Sequence, residues 1–195
     1  MRRGVAVLLL TMVCALSAQP RPKPPQVDLG ALRAGVYTSR GFGFTYKLPY
    51  GWVDRTQGMN GEDGNGSAHL LLAAFEQPPE AARNAINSAV TISTESASSY
   101  PGLKTAADYL GPVTEVAKAR GLDPVGDPYE FRIGAKPLVR ADFKKQMGQT
   151  TMYWTSLAML ARGHLLLFTF VGSSEDEVDQ LVGRLSFASP ASGKH

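Results

Sequence analysis

From residue 42 onward, apolar and polar residues recur with two distinct periods. Phe42, Phe44, Tyr46 and Leu48 alternate with Gly43, Thr45 and Lys47, the two-residue period of a strand with one buried face. Pro49 ends it, and Tyr50, Gly51 and Trp52 form a turn that sets an indole against whatever the strand covers. His69 to Glu76 (HLLLAAFE) is a short apolar run whose length and flanking turn signals favour a strand over a helix. Val90 to Glu95 alternates cleanly. From Thr105 to Arg120 the period changes: Ala106, Tyr109, Leu110, Val113, Val116 and Ala117 recur at three- and four-residue steps, which predicts a helix. Pro112 removes a hydrogen bond there, so the helix is expected to kink or to begin later, and Gly121 stops it.

Two hairpins follow. Tyr129, Phe131 and Ile133 alternate with Glu130 and Arg132; after a turn at Gly134 to Pro137, Val139, Ala141 and Phe143 alternate with Arg140, Asp142 and Lys144. Thr150 to Leu160 and His164 to Val171 flank a turn at Ala161 to Gly163 and form a second, more buried pair. Ser174 then opens a helix, with Glu177 three residues on to complete a capping box and Val178, Leu181, Val182 and Leu185 as its apolar stripe. Glu175, Asp176, Glu177 and Asp179 read as acids stabilising that helix N-terminus. The expected fold class is α+β: an antiparallel-dominated sheet covered by helices, an α/β/α sandwich.

The ends of the chain read differently. Arg2 and Arg3 precede an uncharged apolar stretch from Val5 to Leu16, twelve residues that are too short to cross a hydrocarbon core of about 30 Å. A positive head, a short apolar run and a small-residue end predict a secretory signal peptide over residues 1–18, cleaved after Ala18. Cys14 follows Val13, not the small residue that a lipoprotein cysteine needs, so it is expected to leave with the signal and not to carry a lipid. Residues 19–29 hold Pro20, Pro22, Pro24 and Pro25 and read as an extended linker. The folded domain is expected over 30–188, with 189–195 a flexible tail. The expected destination is the periplasm or the medium, as a soluble chain.

Composition sharpens this picture. The chain has 195 residues, 44% of them apolar, which is enough for one core and excludes a disordered or disulfide-built protein. Lysine plus arginine is 20 against 17 acids, and the pI near 9.0 invites an anion-binding reading. Four of those cations (Arg2, Arg3, Arg21 and Lys23) precede residue 26, which leaves sixteen cations against seventeen acids in the body. Nucleic-acid binding thereby loses its compositional support. The basicity that survives is local: Arg132, Lys136, Arg140, Lys144 and Lys145 face one acid, Asp142, between residues 132 and 145. Alternation predicts Arg132, Arg140 and Lys144 on the solvent side of their hairpin, where they form a candidate partner-binding surface or a charged face that discourages edge aggregation.

Catalytic patterns are missing from the sequence. There is no Gly-x-Ser-x-Gly elbow and no Gly-Lys-Ser or Gly-Lys-Thr, and Gly41-Phe42-Gly43 precedes a strand, the wrong context for a phosphate loop. His69 and His164 open two different strands without ligand spacing, and without a mature cysteine a structural zinc site is not expected. Glu62 and Asp63 lie in a glycine loop, Gly58 to Gly66, too loose for acid–base work. Asp63-Gly64-Asn65 lacks the terminal glutamate of a calcium loop, and Asn65-Gly66-Ser67 is a glycosylation sequon. Met152, Tyr153 and Trp154 could line a ligand pocket, although core packing is the stronger reading because both faces of that strand are apolar. The sequence assigns no catalytic residue, no cofactor and no metal.

Tyr37, then Phe42-Gly43-Phe44, Leu48-Pro49 and Gly51-Trp52, resemble the opening of PsbP-like domains. The central helix, the paired hairpins and the last helix from Ser174 to Leu185, followed by Phe187, match the same order of elements over residues 36–188. The resemblance implies an α/β sandwich that acts by binding another protein, as in the extrinsic photosystem II protein, a nuclear Ran-binding protein and exported bacterial proteins of unassigned role. No site motif of the family aligns, so no functional residue is carried over, and no matched residue suggests a photosystem role. The expected function is therefore an exported, non-catalytic interaction or envelope accessory domain with an unidentified protein partner. The alternatives are a small-ligand binder or enzyme with a pocket between sheet and helix, and a membrane-surface binder using the basic hairpin.

Overall fold

A computed structural model of the chain describes residues 30–60, 68–80 and 86–188. Two antiparallel sheets lie face to face. The smaller has four strands in the order β1-β2-β3-β12: β1 (Ala31–Arg33), β2 (Val36–Ser39), β3 (Phe44–Lys47) and β12 (Leu185–Phe187). The larger runs β4-β5-β6-β11-β10-β9-β7, with β8 also paired to β9. Its strands are β4 (Val53–Asp54), β5 (Ala68–Phe75), β6 (Ala89–Ser96), β7 (Asp123–Pro124), β8 (Tyr129–Ile133), β9 (Lys136–Met147), β10 (Thr150–Ala161) and β11 (His164–Gly172). Three helices complete the fold: α1 (Thr56–Met59), α2 (Ala106–Ala119) and α3 (Glu175–Val182).

The α+β, antiparallel reading holds, but one outer layer of the sandwich is a sheet as well as a helix. Side chains alternate across each strand, so the large sheet has two apolar faces to cover. On the inner face Leu138, Leu157, Leu166, Phe168 and Phe170 meet Phe44 and Tyr46 of the small sheet and Val178, Leu181 and Val182 of α3. The Phe44 ring stands edge-on to Phe168 at 5.2 Å between centroids. On the outer face Ala141, Phe143 and Ala158 meet Leu110 and Ala117 of α2. Trp52 packs against the inner core as expected, while Tyr50 beside it is fully exposed.

Local chemistry explains the element ends. The β10–β11 pairing reaches Ala161 opposite His164, and the two residues between, Arg162 and Gly163, have φ of 52° and 75°. That is the type I′ geometry whose twist matches antiparallel strands. α2 begins at Ala106 instead of after Pro112, because Thr105 and Asp108 form a reciprocal capping box that fixes its first turn. α3 shows the opposite. Ser174 accepts from the Glu177 N–H, but the Glu177 carboxylate passes over the cap. It takes the Ser173 backbone N–H at 2.8 Å, the Ser173 hydroxyl at 2.7 Å and the hydroxyl of Ser88, which joins α3 to the start of β6.

The part of the β5 edge that the two-residue β4 leaves unpaired is closed by side chains. Asn60 donates its amide to the Leu70 carbonyl at 2.9 Å and accepts the Leu70 N–H at 3.3 Å, as a neighbouring strand would. Thr56 Oγ1 accepts from the Ala73 N–H at 2.9 Å. On the other side, Asn87 bonds the Gln77 backbone at 2.9 and 3.0 Å and continues the β5–β6 pairing past the end of β5.

Burial would raise the Glu177 pKa, but the three hydrogen bonds from Ser88 and Ser173 outweigh it and hold the carboxyl below its ordinary 4.5. A depressed carboxylate stabilises the fold above the unfolded value and loses that contribution as pH falls through the folded one. Glu177→Gln should therefore flatten the loss of stability as pH falls below the ordinary 4.5, read by denaturant unfolding at each pH. An unchanged acid limb would contradict this. The Tyr46 hydroxyl is fully buried without a hydrogen-bond partner among the described residues, and burial pushes its pKa upward. Tyr46→Phe removes that unpaired group and should leave stability unchanged or raise it by about 1 kcal/mol in the same assay.

Candidate functional site

The basic cluster read from the sequence does not form one surface. Directly opposed residues of an antiparallel pair share a face. Arg132 lies opposite Pro137, which puts it with Lys145 on the outer face, whereas Lys136, Arg140 and Lys144 point to the inner one. Arg140 is also withdrawn from solvent, its side chain 13% exposed. Its guanidinium donates to Asp142 at 2.9 Å and to Asp179 of α3 at 2.8 Å, and it sits over the Phe131 ring at 5.3 Å. Alternation groups it with Arg132 and Lys144 on the solvent side; the register separates Arg132 from the other two, and α3 covers Arg140. Tyr129 and Thr155 donate to the same Asp142, so the group is a closed junction between β8, β9, β10 and α3. Burial lowers the Arg140 pKa and its carboxylate partners raise it further, with a net upward shift.

The remaining cations have separate surroundings. Arg132 pairs with Glu130 at 3.0 Å in solvent, and Lys136 and Lys144 are exposed. Lys145 donates to the Arg120 carbonyl at 2.6 Å, at the C-terminal end of α2. Asp179, read as a helix-end acid, is instead the acceptor for Arg140.

The histidines are also apart. His69 in β5 lies opposite Thr94 and His164 in β11 opposite Ser96, with β6 between the two strands. The His164 ring meets Phe42 edge-on at 5.7 Å. Among the described residues no group of three or more His, Cys, Asp and Glu side chains is placed to hold a metal. Glu62, Asp63, the Asp63-Gly64-Asn65 loop and the Asn65-Gly66-Ser67 sequon lie outside the described residues, as do residues 1–29 and 189–195.

A different feature carries the chemistry. α2 lies chiefly over β9 and β10, so its flank toward β11 is only partly covered. Val113 and Val116, which the helical period assigns to the apolar stripe, therefore line an open flank, and Val116 is 53% exposed. Between this flank and the sheet runs a cleft of about 280 Å³, floored by Trp154, Ser156 and Leu167. Its polar groups are mostly paired: the Trp154 indole N–H donates to Ser156 at 3.0 Å. At the end where α2 begins, the Tyr109 hydroxyl donates to Glu95 at 3.0 Å and the Tyr100 hydroxyl donates to the other Glu95 oxygen. Burial and the Glu95 carboxylate both push the Tyr109 pKa upward, so this phenol stays protonated. At the opposite end Arg120 lines the cleft, and its side chain has no ion pair or hydrogen bond among the described residues.

Sequence reasoning named Trp154 as a possible pocket residue and preferred the core; the indole does both, packing on the outer core while flooring the cleft. Tyr153, its neighbour, faces inward. Arg120, Tyr100 and Glu95 were not singled out. Their signal was weak, because nothing local marks residues that meet only when a helix crosses three strands.

No family model matches the sequence, and no curated protein matches it. Solved structures do. Cyanobacterial PsbP (CyanoP) from Synechocystis sp. PCC 6803 superposes with a TM-score of 0.50 at 14% identity, covering 78% of this chain and 91% of that one. LpqN of Mycobacterium tuberculosis, a protein involved in cell envelope biogenesis, reaches 0.39 at 11% identity over 75% and 83% of the two chains. A Pseudomonas aeruginosa protein of unknown function reaches 0.37 at 17% identity, covering 64% of this chain and all of that one. The fold is PsbP-like, as the order of elements implied.

If Arg140 is a structural junction, Arg140→Ala should lower unfolding free energy by about 2–3 kcal/mol, because it takes the cation from the part-buried Asp142. Lys144→Ala should change it by less than about 0.5 kcal/mol. Equal effects in denaturant titrations would restore the surface reading.

Proposed function

We propose that this chain is an exported accessory domain that works by binding and not by catalysis, with the cleft between α2 and the outer sheet face as its contact surface. The observation that carries the reading is the exposed apolar flank of α2. Val113 and Val116 face Trp154 and Leu167 across a gap that the fold itself does not fill. Concave apolar surface bordered by a few polar groups is the usual form of a binding site.

The PsbP-like fold is compatible with an accessory role but supplies no site, since one fold hosts many functions. The non-catalytic part of the proposal is supported by how the candidate groups are engaged. Glu95 is held by two tyrosines, Asp142 by Arg140 and Thr155, and Glu177 by Ser88 and Ser173. Export is supported by the charged head and short apolar run of residues 1–18. Among the described residues no helix is long and apolar enough to cross a membrane.

Two measurements test this. The mass of the processed protein should correspond to a chain that starts at Gln19; retention of residues 1–18 would overturn export. A photoreactive amino acid at Val116 should give a discrete adduct in living cells. The same group at Met59, 51% exposed on α1 beside β5, should give none. Equal labelling at the two positions would overturn the cleft as the contact surface.

A further inference from the structure

We propose that the cleft holds the acyl chain of a single-tailed carboxylate, with its head on Arg120 and its tail toward Tyr109. This deepens the binding reading above and rests on it. The shape comes first. The lining residues of α2 run from Tyr109 to Arg120, eleven steps of helix, or about 16 Å. A gap that long with a volume of about 280 Å³ is narrow and elongated. It suits an extended hydrocarbon better than a partner helix about 10 Å across. Its middle is aliphatic, with Val113, Val116 and Ala117 on one wall and Leu167 on the other. Two hydroxyls lie on its floor, Ser156 and Thr169; Ser156 accepts from the Trp154 indole and Thr169 is buried, so the middle asks little of a polar ligand.

Charge then sets the direction. At the Tyr109 end the Glu95 carboxylate is close behind the two phenols whose protons it holds, and it would repel an anionic head. At the other end the Arg120 guanidinium is exposed without a partner among the described residues. A helix C-terminus by itself disfavours an anion. Here, however, the Lys145 ammonium is already seated on the terminal carbonyl of Arg120, so the helix end is met by one cation and the guanidinium is a second. Its planar fork matches a carboxylate in a two-bond arrangement.

The test is calorimetric titration of the full chain with sodium decanoate and sodium dodecanoate below their micellar concentrations, and with neutral decan-1-ol. Dodecanoate should saturate at one per chain and bind more than ten-fold tighter than decanoate, since each added methylene contributes about four-fold. Arg120→Gln should weaken both carboxylates about ten-fold and leave decan-1-ol unchanged. Val116→Glu, at an exposed position, should abolish binding of all three without lowering the melting temperature. If decan-1-ol binds in a Val116-dependent way while Arg120→Gln has no effect on the carboxylates, the anionic class is overturned and the cleft reading stands. If no amphiphile saturates, or Val116→Glu leaves their binding unchanged, the inference is overturned, while the cleft as contact surface is decided separately by the Val116 cross-link.

Discussion

A sheet that is apolar on both faces has to be covered twice, and most features of this molecule follow from how that is done. Strands β9, β10 and β11 carry buried side chains inward and outward alike. Inward, a second sheet and α3 supply the cover; outward, α2 supplies most of it, with Leu122 just beyond its end. The two covers differ in width. A helix about 10 Å across spans roughly two strands spaced about 4.8 Å apart. One helix therefore cannot close the outer face of a sheet this wide, and the cleft is the part left over.

The inner cover brings a different difficulty, because α3 is short and must be held at a fixed height over the sheet. Apolar contact is not directional and would allow the helix to slide. Two charged groups fix it. Arg140 ties the middle of α3 to β9 through Asp179, and Glu177 ties its first turn to β6 through Ser88. Both are long-range in sequence, so they act only once the sheet has formed. They explain why cations and acids that look like surface decoration along the chain are drawn into the interior.

Much of this architecture was legible in the residues. Two-residue alternation located β3, β6 and the two hairpins, and the three- and four-residue period located both long helices. The legible part is what depends on neighbours along the chain. What failed depended on neighbours across it. Pro112 left two readings of α2 open, a kink or a later start, and the Thr105–Asp108 box, which the period does not show, sets the start at Ala106. Arg140 was assigned to solvent because alternation gives a residue's face but not what later covers that face. Val116 failed in the opposite sense, sitting in the apolar stripe yet left open because α2 is offset toward β9. Glu177 lay at capping-box spacing but was claimed by Ser173 and by the distant Ser88 instead.

The edge of β5 shows what it means to replace a strand by a side chain. Asn60 satisfies both polar groups of Leu70 with one amide, where a further strand would have to order several residues. A lock made of one functional group also has one point of chemical failure. Gly61 follows Asn60, so no side chain shields the amide from attack by the next backbone nitrogen. Hydrolysis there would exchange the donating nitrogen for a carboxylate oxygen, and that oxygen would face the Leu70 carbonyl. Attraction would become repulsion at the place where the sheet stops growing. The ageing of a single asparagine would then reopen an edge that the folded chain keeps shut.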